Sequence, residues 1–165
     1  MKLIIPSFNR SAKLSRTLRY YSSIRESIDC EIVVLDGSNN GHDILNSKNV
    51  KLSNNIEYIK YDSDLTFERR ILCYLESCHE DELIILGNDE DVFLSSYINN
   101  AKLFMDMNQD YSSYIGRYIT LCKPFLGLNR LSHFRDFINE NDISMNDSYR
   151  RVSTLMTMIL IGCSP

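Results

Sequence analysis

The chain has 165 residues, which suits one domain, and with 44 % hydrophobic and 24 % charged residues its composition is that of a globular protein, not a disordered one. Its formal net charge of -4 excludes the broad basic field that holds a nucleic-acid backbone, so no nucleic-acid partner is expected. The five cysteines, at positions 30, 73, 78, 122 and 163, include no Cys-x-x-Cys, which argues against a zinc site or a disulfide framework and for reduced thiols in a cytosolic protein.

The opening Met-Lys-Leu-Ile-Ile-Pro is too short an apolar run for a signal peptide. Leu3 to Ile5 predicts a buried first strand, stopped by Pro6 and followed by the loop Ser7-Phe8-Asn9-Arg10. Leu14, Leu18, Tyr21, Ile24 and Ile28 then recur at the spacing of one helix face, with Ser11 as the expected N-cap. Glu31 to Leu35 is a continuous apolar strand that ends in the turn Asp36-Gly37-Ser38-Asn39-Asn40-Gly41. Apolar continuity of this kind predicts a strand covered on both faces, as in a parallel sheet.

Ile56 to Tyr61 alternates as a third strand. Thr66 to Cys78 predicts a helix with Phe67, Ile71 and Leu75 on one face. Leu83 to Leu86 is a fourth strand, running straight into Gly87-Asn88-Asp89-Glu90-Asp91. Leu94, Ile98, Ala101 and Met105 mark a further helix, and Tyr111 to Leu121 a fifth strand. The order β-α-β-β-α-β-α-β predicts an α/β fold with right-handed crossovers in one domain over 1–165, its core in 1–121. Beyond residue 122 the pattern weakens; Leu131 to Ile138 reads as helical, and Val152 to Ile161 is apolar but shorter than the ~20 residues of a membrane-spanning helix.

Ligands of open α/β sheets bind outside the carboxyl ends of the strands. Three such ends carry informative residues: Pro6 to Arg10, Asp36 to Ser38, and Asn88 to Asp91. The acids 89–91 repel one another unless solvated or gathered around a cation, and hard oxygens suit Mg²⁺ or Mn²⁺. Asp36 is placed either to accept hydrogen bonds from a ribose or base, or to close its own turn. Arg69 and Arg70 stand near the start of the third helix, where one guanidinium fork suits a diphosphate and two solvated charges are the plain alternative. His42, His79 and His133 have no metal-type spacing, and no hydrolase elbow, P-loop or Gly-x-Gly-x-x-Gly is present.

Taken together, these segments resemble family-two glycosyltransferases. Leu3-Ile4-Ile5-Pro6-Ser7-Phe8-Asn9-Arg10 is similar to their opening, an apolar strand followed by Pro-Thr/Ser-Tyr/Phe-Asn-Arg. Ile32-Val33-Val34-Leu35-Asp36-Gly37-Ser38 is similar to their second strand, and Leu86-Gly87-Asn88-Asp89-Glu90-Asp91 to their Asp-x-Asp segment. The three motifs keep the family's order across about residues 3 to 120.

The resemblance implies a GT-A fold, a Rossmann-like, mostly parallel sheet flanked by helices that binds a nucleotide-diphospho-sugar. It implies Pro6, Ser7 and Arg10 bordering the nucleotide, Asp36 at the base, Asp89 near the ribose or metal, and Asp91 as the ligand of Mn²⁺ or Mg²⁺. Arg70 is the nearest match to the arginine that approaches the nucleotide in many members. The implied reaction is inverting transfer of a sugar to a glycan or lipid-linked acceptor, in polysaccharide biosynthesis, in the cytoplasm at the inner face of a membrane. The general base then lies among Asp136, Glu140, Asp142 and Asp147, with no motif to choose one.

Family members usually run well beyond this length, and the tail from Arg151 turns abruptly apolar. It reads either as a last buried element or as the mark of a C-terminally truncated or frame-shifted chain. The alternatives to a transferase are a non-catalytic nucleotide-sugar-binding remnant and a sugar-phosphate nucleotidyltransferase. The second would want a Gly-rich, basic loop after the first strand, and Ser7-Phe8-Asn9-Arg10 is not one.

Overall fold

The structure, a computed structural model, describes residues 1–53, 55–111, 113–114, 118–122 and 130–135, the last two stretches as backbone. The chain divides into two compact units, Met1–Met107 and Asn108–Pro165.

The first unit is an all-parallel, four-stranded α/β sheet of Rossmann-like type. In chain order it runs β1 (Lys2–Ser7), α1 (Ser11–Ser23), a 3-10 turn (Arg25–Ser27), β2 (Glu31–Asp36), α2 (His42–Lys51), β3 (Ile56–Lys60), α3 (Phe67–Leu75), β4 (Ile84–Leu86) and α4 (Ser95–Met107). The strand order is β3-β2-β1-β4. Register pairs Ile4 with Val33 and Leu86, and Val34 with Tyr58.

Alternation along β1 and β2 sorts their side chains onto two apolar layers. Leu3, Ile5, Ile32 and Val34 face one layer with Leu14, Leu18, Tyr21, Val50 and Ile98, so α1, α2 and α4 cover that side. Ile4, Val33 and Leu35 face the other, closed by Tyr74 and Ile71 of α3. The two central strands are thus buried on both faces, which is why their sequences are continuously apolar. The chain first steps outward, from β1 to β3, and then returns through α3 to place β4 on the far side of β1. The switch point of the sheet therefore lies between β1 and β4.

Four expectations change. Arg10, not Ser11, caps α1; Ser11 is the first helical residue and its hydroxyl shares a hydrogen bond with Nδ1 of His42. The helical face assigned through Ile28 ends at Ser23, because Ile24 closes the helix and Ile28 is already extended, though still buried. A helix, α2, stands where no element was expected between the second and third strands. The core face of α3 is Arg70 and Tyr74 with Ile71, whereas Phe67 and Leu75 are 44 % and 38 % exposed. Thr66 caps α3, its hydroxyl oxygen accepting from the Arg69 amide at 3.3 Å. Thr66→Ala should lower stability by about 1 kcal/mol; urea unfolding measures it, and an unchanged midpoint would deny the cap.

The second unit holds β5 (Tyr118–Cys122), antiparallel to β6 (Arg130–Arg135), with an irregularity between Thr120 and Leu121. The strand expected over 111–121 is thus shorter. The helix expected from Leu131 is a strand through Arg135: the i,i+3 spacing of Leu131 and Phe134 suits a helix, and pairing with β5 overrides it. The remaining 136–138 of that helix and the apolar tail lie outside the described residues.

Candidate functional site

The carboxyl ends of β1, β2 and β4 come together, and two of their loops are tied by side chains. The Asn9 side chain donates to Oδ1 of Asn39 at 3.0 Å and accepts from the Asn39 amide at 2.9 Å. The Asn9 amide donates to Oγ of Ser38 at 2.8 Å. This reciprocal clasp holds Asn9 at φ 55, a left-handed conformation that asparagine tolerates.

A cleft of about 550 Å³ opens at this edge. Pro6, Ser7, Arg10, Arg70 and Asp89 all line it, so five of the residues expected around a nucleotide share one surface. Asn88 and the turn from Ser63 to Phe67 complete it. The aromatic rings of Phe8 and Phe67, each 44 % exposed, flank the opening.

Arg70 is the residue that structure most changes. It is 3 % exposed, although it lines the cleft. Its Nη1 donates to the carbonyl of Ser7 at 2.7 Å and, at 3.5 Å, to that of Leu35. Its Nε has no partner. Burial pushes the guanidinium below its ordinary value, against the pull of Asp36 and Glu68. The Phe8 ring lies 5.8 Å from its Cζ. The guanidinium packs so closely on Gly37 that a Cβ there would stand 2.3 Å from Nη1 and 2.7 Å from Cζ. The guanidinium is thus seated by two backbone carbonyls, with one buried N–H left unmatched.

The acids of the 89–91 run diverge. Asp89 is buried; its Oδ2 accepts from Ser7 Oγ at 2.8 Å, its Oδ1 lies 3.5 Å from Arg10, and its carbonyl accepts from Thr17 at 3.0 Å. Glu90 turns outward and pairs with Lys13 at 2.7 Å and with Arg10; the bond from Lys13, then the charges of Lys13 and Arg10, hold its carboxyl below the usual range. Asp91 is exposed and accepts from Nδ2 of Asn88 at 2.6 Å. Among the described residues no three His, Cys, Asp or Glu side chains gather as a metal-holding group. Of the two expected ligands of Mn²⁺ or Mg²⁺, Asp89 does not fit as arranged, its oxygens being turned onto Ser7 and Arg10. Asp91 alone is open to a cation.

Asp36 reaches the same edge but turns inward, and it does not line the cleft. It is fully buried, with Oδ1 accepting from the Ser38 amide at 2.9 Å and Oδ2 from Asn46 at 3.1 Å and Tyr58 at 2.7 Å. Burial, and then the bond to Asp36, push the Tyr58 hydroxyl well up. Of the two roles open to Asp36, the one this geometry displays is closure of its own turn. Asn46 and Tyr58 have no signature in the sequence: Asn46 sits in the unexpected α2, and Tyr58 is one tyrosine of an alternating strand. Asp136, Glu140, Asp142 and Asp147, the candidate bases, lie outside the described residues.

No helix among the described residues is long and apolar enough to cross a membrane. No known family model matches the sequence, and no curated protein matches it. Five solved chains match in structure. One is the crystal structure of S. aureus TarS 1-349, similar at 18 % identity and a TM-score of 0.48 over 66 % of this chain. The alignment takes in 32 % of that chain, so the present sequence spans about a third of its length.

Proposed function

We propose that this chain binds a nucleoside-diphosphate sugar at the β1/β4 switch point, as the donor-binding part of a GT-A glycosyltransferase of the family-two kind. The observation that carries the reading is the cleft. It combines two half-exposed aromatic rings with a buried guanidinium, at the end of a sheet whose first loop reads Pro6-Ser7-Phe8-Asn9-Arg10. A base has a flat apolar face to stack on an aromatic ring, and a diphosphate has the charge and geometry that suit the guanidinium groups lining the cleft. Loss of a nucleoside diphosphate from a sugar develops charge on the departing phosphate, and fixed cations at that point favour it. Arg10 and Arg70 are the cations of the cleft. Ser7 and Asp89 shape its floor, with Asp89 holding Arg10 toward the opening. The acceptor under this reading is a glycan or lipid-linked sugar.

Calorimetric titration with UDP, GDP and their sugar conjugates tests this, with and without Mn²⁺, on wild type and Asp91→Ala. Binding of at least one diphosphate, weakening as salt rises, is expected. A gain from Mn²⁺ that vanishes in Asp91→Ala would assign Asp91 to the cation. Binding indifferent to Mn²⁺ would leave neutralisation to the arginines. No binding of any nucleoside diphosphate would overturn the proposal.

A further inference from the structure

The second helix carries most of its apolar residues on the side away from the core. Only Asn46 and Val50 of α2 are buried. Ile44, Leu45 and Leu52, the last at its C-cap, are 72 %, 52 % and 77 % exposed. At about 100° per residue, Lys51, Ile44, Lys48, Leu52 and Leu45 fall on one arc of roughly 120°, opposite Asn46 and Val50. Lys48 and Lys51 are exposed on that arc. Beside it, a groove of about 450 Å³ opens between α2 and the sheet-edge strand β3, lined by Lys48, Lys51, Lys60, Tyr58 and Ile44. Among the described residues, the one carboxylate that lines the groove is Asp43.

We infer that the outer face of α2, with the β3 edge, is a docking surface for an anionic phospholipid bilayer. A helix that lies in a membrane interface presents aliphatic side chains to the acyl boundary and lysines to the phosphates around them. The arc on α2 has both, interleaved rather than segregated into separate patches. The long lysine stems let the ammonium groups reach the headgroup level while Ile44 and Leu52 enter the bilayer. The groove adds a third lysine where a headgroup phosphate sits against the protein. A net charge of -4 over the whole chain makes this concentration of lysines local, so the orientation of approach is set by this face. A second copy of the chain fits the surface less well. A two-fold contact would bring this lysine-bearing patch against itself, with Asp43 the one carboxylate lining the groove to offset it. The inference stands on α2 and β3 and does not depend on the nucleotide reading.

Flotation of the 165-residue protein with vesicles tests it, using phosphatidylcholine alone or mixed with phosphatidylglycerol. Binding to the mixed vesicles only, weakened by salt, is expected. At about 1 kcal/mol per lysine near an anionic surface, Lys48→Gln with Lys51→Gln should lower partitioning roughly 30-fold. Ile44→Ser with Leu52→Ser should abolish it even at low salt. Arg19→Gln with Lys102→Gln, a charge-matched pair on α1 and α4, should leave it intact. None of the six positions belongs to the buried core, although Lys102→Gln gives up the ion pair with Asp29, and matching thermal melts verify that the fold is kept. Equal loss in the control pair, equal binding to neutral vesicles, no vesicle binding by wild type, or a dimer in sedimentation that the α2 variants dissolve would each overturn the inference.

Discussion

Gly37→Ala is expected to weaken binding of a nucleoside diphosphate by about 10- to 100-fold, and Arg70→Met to do the same. Gly37 has no positive φ to defend, so alanine suits its backbone. The obstacle is the guanidinium of Arg70, whose Nη1 and Cζ occupy the space of the new methyl group. Backbone on both sides fixes the clash: Ser7 and Leu35 offer the carbonyls that hold Nη1, and the Gly37 amide itself donates to Ser7 at 3.1 Å. The side chain must therefore leave its seat, and the cleft loses its buried cation. A charged hydrogen bond is worth about 1.5–3 kcal/mol, which gives the stated range.

Stability separates this from a folding defect. Arg70 has no carboxylate in contact, and replacing a buried, imperfectly matched charge with an apolar side chain of similar length is often neutral or stabilising. Arg70→Met should thus melt at or above the wild-type temperature while losing the shift that the ligand induces. Arg70→Lys should not restore binding, because a point charge cannot take the fork's place between two carbonyls. A Gly37→Ala protein that binds as well as wild type would show that Arg70 is not seated by Gly37.

How much of this was legible beforehand divides along physical lines. The strands were, because burial on both faces writes a continuous apolar run, as in Ile32 to Leu35, and each run stops at a strand end marked by Pro6, Asp36 or Gly87. Three strands with that signal, together with the alternating Ile56 to Tyr61, suffice to predict a parallel α/β sheet. Helix α1 was legible for the same reason, since Leu14, Leu18 and Tyr21 all point at the sheet. Helix α2 was not: its aliphatic residues face outward, so the periodicity that reports a core face is absent. In α3 the period was right and the phase wrong. The buried stripe contains an arginine, and apolar spacing alone assigns a charged residue to solvent.

The candidate site was legible as a set of loops but not as a set of contacts. Pro6, Ser7, Arg10, Arg70 and Asp89 do share the cleft. What sequence cannot convey is which way a carboxylate turns. Asp36, Asp89, Glu90 and Asp91 look alike in a row of letters. In the fold they meet a turn amide, a serine, two cations and an asparagine respectively.

The inward turn of Asp36 carries the second large expectation, which is a loss of stability. Asp36→Ala would take the Asp36 acceptor from three donors: the Ser38 amide, Nδ2 of Asn46 and the Tyr58 hydroxyl. Each unmatched buried donor costs about 1–3 kcal/mol, so a total of roughly 3–5 kcal/mol is expected after local rearrangement. That is a large share of the ~5–15 kcal/mol that holds a domain together. The donors differ in what they can do instead. Asn46 has a second acceptor in Ser38 Oγ at 3.1 Å, and Tyr58 lies 3.3 Å from the Asp43 carbonyl. The Ser38 amide has neither, so it dominates the loss. Asp36→Asn keeps an acceptor for that amide but turns an amide group toward Asn46, and should lie between alanine and wild type. Tyr58→Phe removes one bond to a charged partner, about 1.5–3 kcal/mol. Because both changes break the same contact, the double variant Asp36→Ala with Tyr58→Phe should be more stable than the sum of the single losses predicts. Urea unfolding of the four variants measures the cycle. An Asp36→Ala protein within 1 kcal/mol of wild type on that scale would mean that the carboxylate is not the knot of the β2 turn, and would return Asp36 to the ligand side of the edge.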